Sequence, residues 1–393
     1  MPAPNAPKAA TIEQLLAAKE IAIVCGSGGV GKTTTAAALG TMAAVHLGGK
    51  VLVLTVDPAR RLAAALGLES FGNVETRVPA GAFAEAGVKP RGELWAAMLD
   101  TKQSWDDLVR QHAPNEQVRD AILANSIYQN ISGRFVQSHD YIAMERLYEI
   151  HASGRYDLVV VDTPPTRHAL DFLDAPARMA DFFGGRLLRW LTVPYRSRIV
   201  TVASKPFYSV ADRILGTKFL EDIAEFFILF QSMEQGFVAR ADQIESLLTD
   251  DRTTFVVVTT LEAAPTHESR FLIDELNRRS MPLGAVVVNR SLPAKLAQPA
   301  VARTATALAA LASDGADPLL ARLAGDVDGD SDDVASVLRE TGERFRQVAV
   351  IAAREAERRR DLEGVAPLLG DVPTQPGDVH DLDGLLAVAD ALR

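Results

Sequence analysis

Apolar residues along the chain fall into short unbroken runs separated by long stretches of helical periodicity. Ile21-Ala22-Ile23-Val24 runs straight into a glycine cluster, and Val51-Leu52-Val53-Leu54-Thr55-Val56 is a second run of the same kind. Further runs lie at Leu94–Leu99, Leu158–Val161, Phe255–Val258 and Ala285–Val288. Runs without polar alternation are buried on both faces, as in a parallel sheet covered by helices. Strands alternating with long helical stretches predict a doubly wound, mainly parallel α/β fold. Two helical stretches, about 101–150 and 176–250, exceed a simple crossover and predict a helical subdomain inserted into a single domain spanning 1–393. Thr11-Ile12-Glu13-Gln14 has capping-box spacing and predicts a helix start. The Pro- and Ala-rich residues 1–10 are expected to be disordered, and residues 332–363 predict a long arginine-rich helix with a solvated face.

Composition narrows the chemistry. The 393 residues carry a net charge of −10, so the surface opposes phosphate backbones and anionic lipid, and no nucleic-acid partner is expected. No apolar run approaches the length of a membrane helix and no signal peptide is visible, which predicts a cytoplasmic protein without stable membrane insertion. Cys25 is the one cysteine. A thiolate zinc cage within the chain is therefore excluded. Asp326-Val327-Asp328-Gly329-Asp330 invites a calcium-loop reading, but Ser331 and Val337 stand where such a loop needs Gly and Glu. It reads as an acidic turn.

The decisive motif is Gly26-Ser27-Gly28-Gly29-Val30-Gly31-Lys32-Thr33, which fits G-x-x-x-x-G-K-[ST] at every fixed position. Glycines let consecutive N–H groups turn inward onto phosphate oxygens, Lys32 reaches the β and γ phosphates, and the Thr33 hydroxyl ligates Mg²⁺. The run from Thr34 predicts a helix whose N-terminus faces the same phosphates. Cys25 reads as a small buried residue. Asp57, after the second strand, can cap the next helix with Pro58 at its first position, orient the attacking water, or do both. Asp162 ends a further apolar strand, Leu158–Val161, as a magnesium-holding aspartate would. Pro164 and Pro165 then break regular structure, and His168 reads as an ordinary helix or loop residue.

The phosphate loop, Asp57-Pro58-Ala59 and Asp162-Thr163-Pro164-Pro165-Thr166 together resemble the arsenical-pump-driving and tail-anchored-protein-targeting ATPases, over most of 20–390. The match is closest in kind to single-domain actinobacterial members. The resemblance implies an ATP- and Mg²⁺-dependent ATPase that opens and closes as a dimer to capture and release a partner protein. It implies that Asp57 positions water, Asp162 serves magnesium, Glu262 contacts nucleotide across the dimer and Asn289 reads the adenine. The chain departs from the pattern in three ways. The family's signature lysine, second in the loop, is Ser27, so either turnover is slow, a paralogous subunit supplies the lysine in a heterodimer, or another basic residue substitutes. No C-x-x-C follows Asn289, so no zinc bridge is expected. One cysteine and one phosphate loop do not suit arsenite recognition. Eleven of the 24 aromatics lie between Phe182 and Phe237, and Phe219, Ile223, Phe226, Phe230 and Phe237 recur at helical spacing. That stripe reads first as core, and second as a groove for a hydrophobic client helix.

Overall fold

The computed structural model describes residues 9–56, 60–68, 72–131, 138–165, 172–175, 177–178, 225–310, 318–326 and 330–393. Eight strands form one sheet: β1 (Ile21–Gly26), β2 (Lys50–Thr55), β3 (Thr76–Arg77), β4 (Glu93–Met98), β5 (Leu158–Asp162), β6 (Thr253–Thr259), β7 (Leu283–Ser291) and β8 (Leu368–Pro373). Their order is β3-β4-β2-β5-β1-β6-β7-β8, with every pairing parallel except β3 against β4. The mainly parallel α/β expectation is met. Each predicted run is a strand, shifted or extended by one to three residues. The two strands that apolar runs do not announce are the two-residue β3 and the half-polar β8, Leu-Leu-Gly-Asp-Val-Pro.

Alternation inside the apolar runs sorts side chains to two faces. Ile21, Ile23, Leu52, Leu54, Val159, Val161, Phe255 and Val257 point into one core, shared with helices Thr101–His112, Ser138–Ala152 and Glu234–Thr249. Ala22, Val24, Val51, Val53, Val160, Val256 and Val258 point into the other, shared with helices Lys32–Met42 and Leu382–Ala391. Burial on both faces is why these strands tolerate no polar alternation. At the N-terminus the Thr11 side chain accepts from Gln14 N at 3.2 Å, while the reciprocal bond falls one residue early, from Ala10 N to Gln14 Oε1 at 2.9 Å.

The helices on the first face surround a buried carboxylate. Glu145 is 3% exposed; Arg240 Nε lies 3.0 Å from its Oε1 and Tyr141 donates to its Oε2 at 3.1 Å. Burial, then the Glu145 charge, push the Tyr141 phenol above its usual range. Arg240 also stacks 4.3 Å over the Tyr148 ring. Truncating one partner strands the other charge in a low-dielectric setting. Glu145→Ala is expected to cost about 2–3 kcal/mol, discounted because Arg240 keeps some solvent contact. Urea unfolding checks this, and an unchanged midpoint would show the cluster to be dispensable.

Of the aromatic stripe, Phe226, Phe230 and Phe237 are buried; Phe237 packs on Trp105 and Tyr141, and Phe230 on Trp105. These three belong to the core. Phe182, Phe219 and Ile223 lie outside the described residues.

Candidate functional site

The carboxyl ends of β1, β2, β5, β6 and β7 converge on the loop that joins β1 to helix Lys32–Met42. The loop leaves the sheet at Gly26 (φ 154°), where a Cβ would run into the Val258 carbonyl of β6. It enters the helix at Gly31, a left-handed N-cap (φ 95°) where a Cβ would strike the Asn289 carboxamide. Left-handed backbone next to a crowded neighbour leaves glycine as the residue that fits. Gly29 is left-handed too, and the space beside it is open for 4 Å. The helix then proceeds with small residues, Thr34 to Ala38, lies against β5, β1 and β2, and aims its N-terminus at the loop mouth.

Lys32 is buried and its ammonium donates to Ser27 O at 3.0 Å, so the cation is folded back over the loop it would share with phosphate oxygens. Thr33 Oγ1 donates to Asp162 Oδ2 at 2.6 Å, joining the helix N-terminus to the end of β5. Asp162 is 2% exposed. The same Oδ2 accepts from Thr55 Oγ1 at 3.0 Å, and the Asp162 carbonyl accepts from Val56 N at 3.2 Å. Two bonds thus lock Asp162 to the stretch of β2 that leads into Asp57. Thr163 continues the seam, donating from its hydroxyl to Val24 O at 2.9 Å. Pro165 lies against Gly28.

Asn289, near the end of β7, donates from Nδ2 to Val30 O at 2.8 Å, and its Oδ1 accepts from Arg290 N. It therefore braces the phosphate loop through the backbone. Glu262 is exposed at the N-cap of helix Ala263–Arg278 and its side chain makes no capping bond there. Beside it, Arg358 Nη1 donates to Leu261 O at 2.6 Å. Ser27 is 4% exposed, and its Oγ has no hydrogen-bond partner among the described residues. Asp57, Pro58, Ala59, Thr166 and His168 lie outside the described residues. The structure thus brings Gly26–Thr34, Asp162 and Asn289 together, with Glu262 further along the same sheet edge. Thr55 is the participant that sequence reasoning missed.

Cys25 sits one residue before the loop, buried, with Sγ 3.8 Å from Val256 O. Burial pushes its thiol up to about 12, and the Lys32 charge opposes this only in part. Such a thiol is inert near neutral pH.

Residues 19–309 match the family model described as Anion-transporting ATPase. The chain belongs to this family. Similar proteins include the "ATPase ASNA1 homolog" of Entamoeba dispar, 27% identical over 278 residues, covering 69% of this chain and 76% of that protein. The "ATPase get3" of Schizosaccharomyces pombe is 25% identical over 293 residues, covering 73% and 78%. A protein of Mycobacterium bovis, also named as an ATPase, is 26% identical over 287 residues, covering 72% and 68%. This anion-transporting ATPase family member is an ATPase with a nucleotide-binding α/β core. None of the helices searched among the described residues is long and apolar enough to cross a membrane.

The donor set suits Mg²⁺. Thr33 Oγ1 and Asp162 Oδ2 are hard oxygens 2.6 Å apart, and they are the residues that would hold the ion. Thr55 is expected to hold Asp162 in place. Thr55→Val removes the hydroxyl and keeps the shape. It should weaken Mg²⁺-dependent ADP binding about 10-fold while metal-free binding changes little, since a net hydrogen bond to a charged group is worth about 1.5–3 kcal/mol and each 1.4 kcal/mol is tenfold. Titration of labelled ADP with and without Mg²⁺ checks this, and Thr55→Ser should restore binding.

Proposed function

We propose that this ATPase is a Mg²⁺-ATP-driven dimeric switch whose nucleotide state governs capture and release of a partner protein. The observation that supports it is the Asp162 carboxyl group, shared between the phosphate-loop Thr33 and the strand leading to Asp57. Any change in how Asp162 is engaged at the phosphate loop is felt at Thr55 and Val56, two residues and one residue before Asp57. A magnesium ion bound here would neutralise developing phosphate charge; Lys32 would bind the β and γ phosphates, Thr33 and Asp162 would hold the ion, and Asp57 would orient the attacking water. Glu262 would meet the nucleotide of the facing subunit, and Asn289, while bracing Val30, would read the adenine. A hydrophobic helix is the class of client proposed. The working compartment is the cytoplasm, and helices Thr101–His112, Ser138–Ala152 and Glu234–Thr249 would belong to the client-facing subdomain of one ATPase domain; residues 179–224 of that subdomain lie outside the described residues.

A second reading has a specific observation behind it. Ser27 stands at the family's signature-lysine position, buried and short, and its own side chain carries no charge to offer a facing site. A chain of this kind would bind ATP and turn it over weakly until a paralogous subunit with an intact lysine completes the site. Hydrolysis by the chain alone, and after addition of such a subunit or its lysine variant, separates the two readings. Rapid turnover by the isolated homodimer overturns the second; no turnover under any condition overturns the first.

A further inference from the structure

Helix Ser331–Leu362 lies beyond the stretch matched by the family model, yet its C-terminal end returns to the carboxyl edge of the sheet. It is seated on helix Pro299–Ala309, where Gly342 comes so close that a Cβ would strike the backbone of Ala305 and Ala309. Glu355, Arg358 and Arg359 then share one face of the helix. Arg359 pairs with Asp371 of β8 and Arg358 donates to Leu261 O, just past β6. Between them, Glu355 Oε2 accepts from Leu292 N at 3.2 Å, just past β7. One helix face thus holds three neighbouring strands where they leave the sheet.

The end of β7 is irregular at the point that Glu355 holds. Its pairing with β8 shifts register between Asn289 and Ser291, and Arg290 between them is left-handed, with φ 57°. A residue with a Cβ adopts that backbone rarely, and keeps it where contacts on both sides hold it. On one side Arg290 N donates to Asn289 Oδ1 at 2.9 Å. On the other, Ser291 O accepts from Thr374 N and Leu292 N donates to Glu355. Glu355 is the part of this hold that comes from outside the sheet. The Arg290 N–H in turn orients the Asn289 carboxamide, whose Nδ2 donates to Val30 O at 2.8 Å. Turned over, the carboxamide would set oxygen against oxygen and N–H against N–H.

We infer that Glu355 is a positioning residue for base recognition: by holding Leu292 it keeps Arg290 left-handed and the Asn289 carboxamide in one orientation. This deepens the reading of Asn289 proposed above and rests on it. The bonds to Val30 and Arg290 use one hydrogen of Nδ2 and one lone pair of Oδ1, and each atom has a second. Adenine carries a donor at N6 beside an acceptor at N7, which a carboxamide complements, whereas guanine carries the acceptor O6 in place of that donor. Held in one orientation, Asn289 favours adenine. Released, it turns to suit either base.

Calorimetric titration of the full chain with Mg²⁺-ADP, Mg²⁺-GDP and Mg²⁺-pyrophosphate tests this. Glu355→Ala is expected to weaken ADP binding about 5-fold, a middle value for a residue that acts through another. GDP and pyrophosphate should bind nearly as before, pyrophosphate because it engages the phosphate loop alone. Glu355→Gln keeps an oxygen for Leu292 N and should restore ADP binding. In an Asn289→Ala chain, Glu355→Ala should change ADP binding no further, because the two act in one chain of contacts. ADP binding unchanged in Glu355→Ala, pyrophosphate weakened in proportion, no restoration by glutamine, or an equal loss in the Asn289→Ala background would each overturn the inference and leave Asn289 its role. An Asn289→Ala chain that still prefers ADP to GDP would overturn the reading of Asn289 and this inference with it.

Discussion

Replacing Lys32 with alanine is expected to lower kcat/KM for ATP hydrolysis by at least about 10³-fold, the scale seen when a preorganised charge is removed from a transferring phosphoryl group. The ammonium is buried and tied to Ser27 O, so it occupies the loop interior before any ligand arrives. That placement has a cost in the free protein, since a buried ammonium gives up its hydration. Lys32→Ala should therefore leave folding stability unchanged or slightly raised while activity collapses. Parallel kinetics and thermal unfolding check both halves. Activity and stability falling together would mean that Lys32 is structural.

The second large effect is a gain. Ser27→Lys restores the cation at the second loop position. Turnover by the chain alone is expected to rise about 10³-fold, the lower end for a charge supplied across an interface. Ser27 is buried with its hydroxyl unpartnered, so removing it forfeits no hydrogen bond among the described residues. In the proposed dimer the longer side chain would reach toward the facing subunit, so the gain should appear only where dimers form. A Ser27→Met control of similar length should show no gain. An equal gain with methionine would point to loop geometry instead of charge.

How much of this was legible in the sequence depends on what each signal encodes. The phosphate loop is legible because its glycines answer a backbone demand: left-handed φ at Gly29 and Gly31, and contact with β6 and Asn289 at Gly26 and Gly31. The buried strands are legible because two-sided burial removes polar alternation. Thr55 was hidden for the same reason, since a threonine inside Val-Leu-Val-Leu-Thr-Val reads as a β-branched strand residue until its hydroxyl is found on Asp162. Asn289 on Val30 O, 259 positions away in sequence, is a contact that spacing cannot report. Phe226, Phe230 and Phe237 show the limit of periodicity, which says that a helix has an apolar face but not what covers it; Trp105 and Tyr141 do.

The central claim is that this ATPase works as a nucleotide-driven dimer, and steady-state ATP hydrolysis over a wide range of protein concentration tests it most directly. The account predicts specific activity that rises with concentration and then saturates, in parallel with nucleotide-dependent association, and that is lost in Lys32→Ala. Specific activity independent of concentration, down to dilutions where sedimentation shows a single chain, would contradict it.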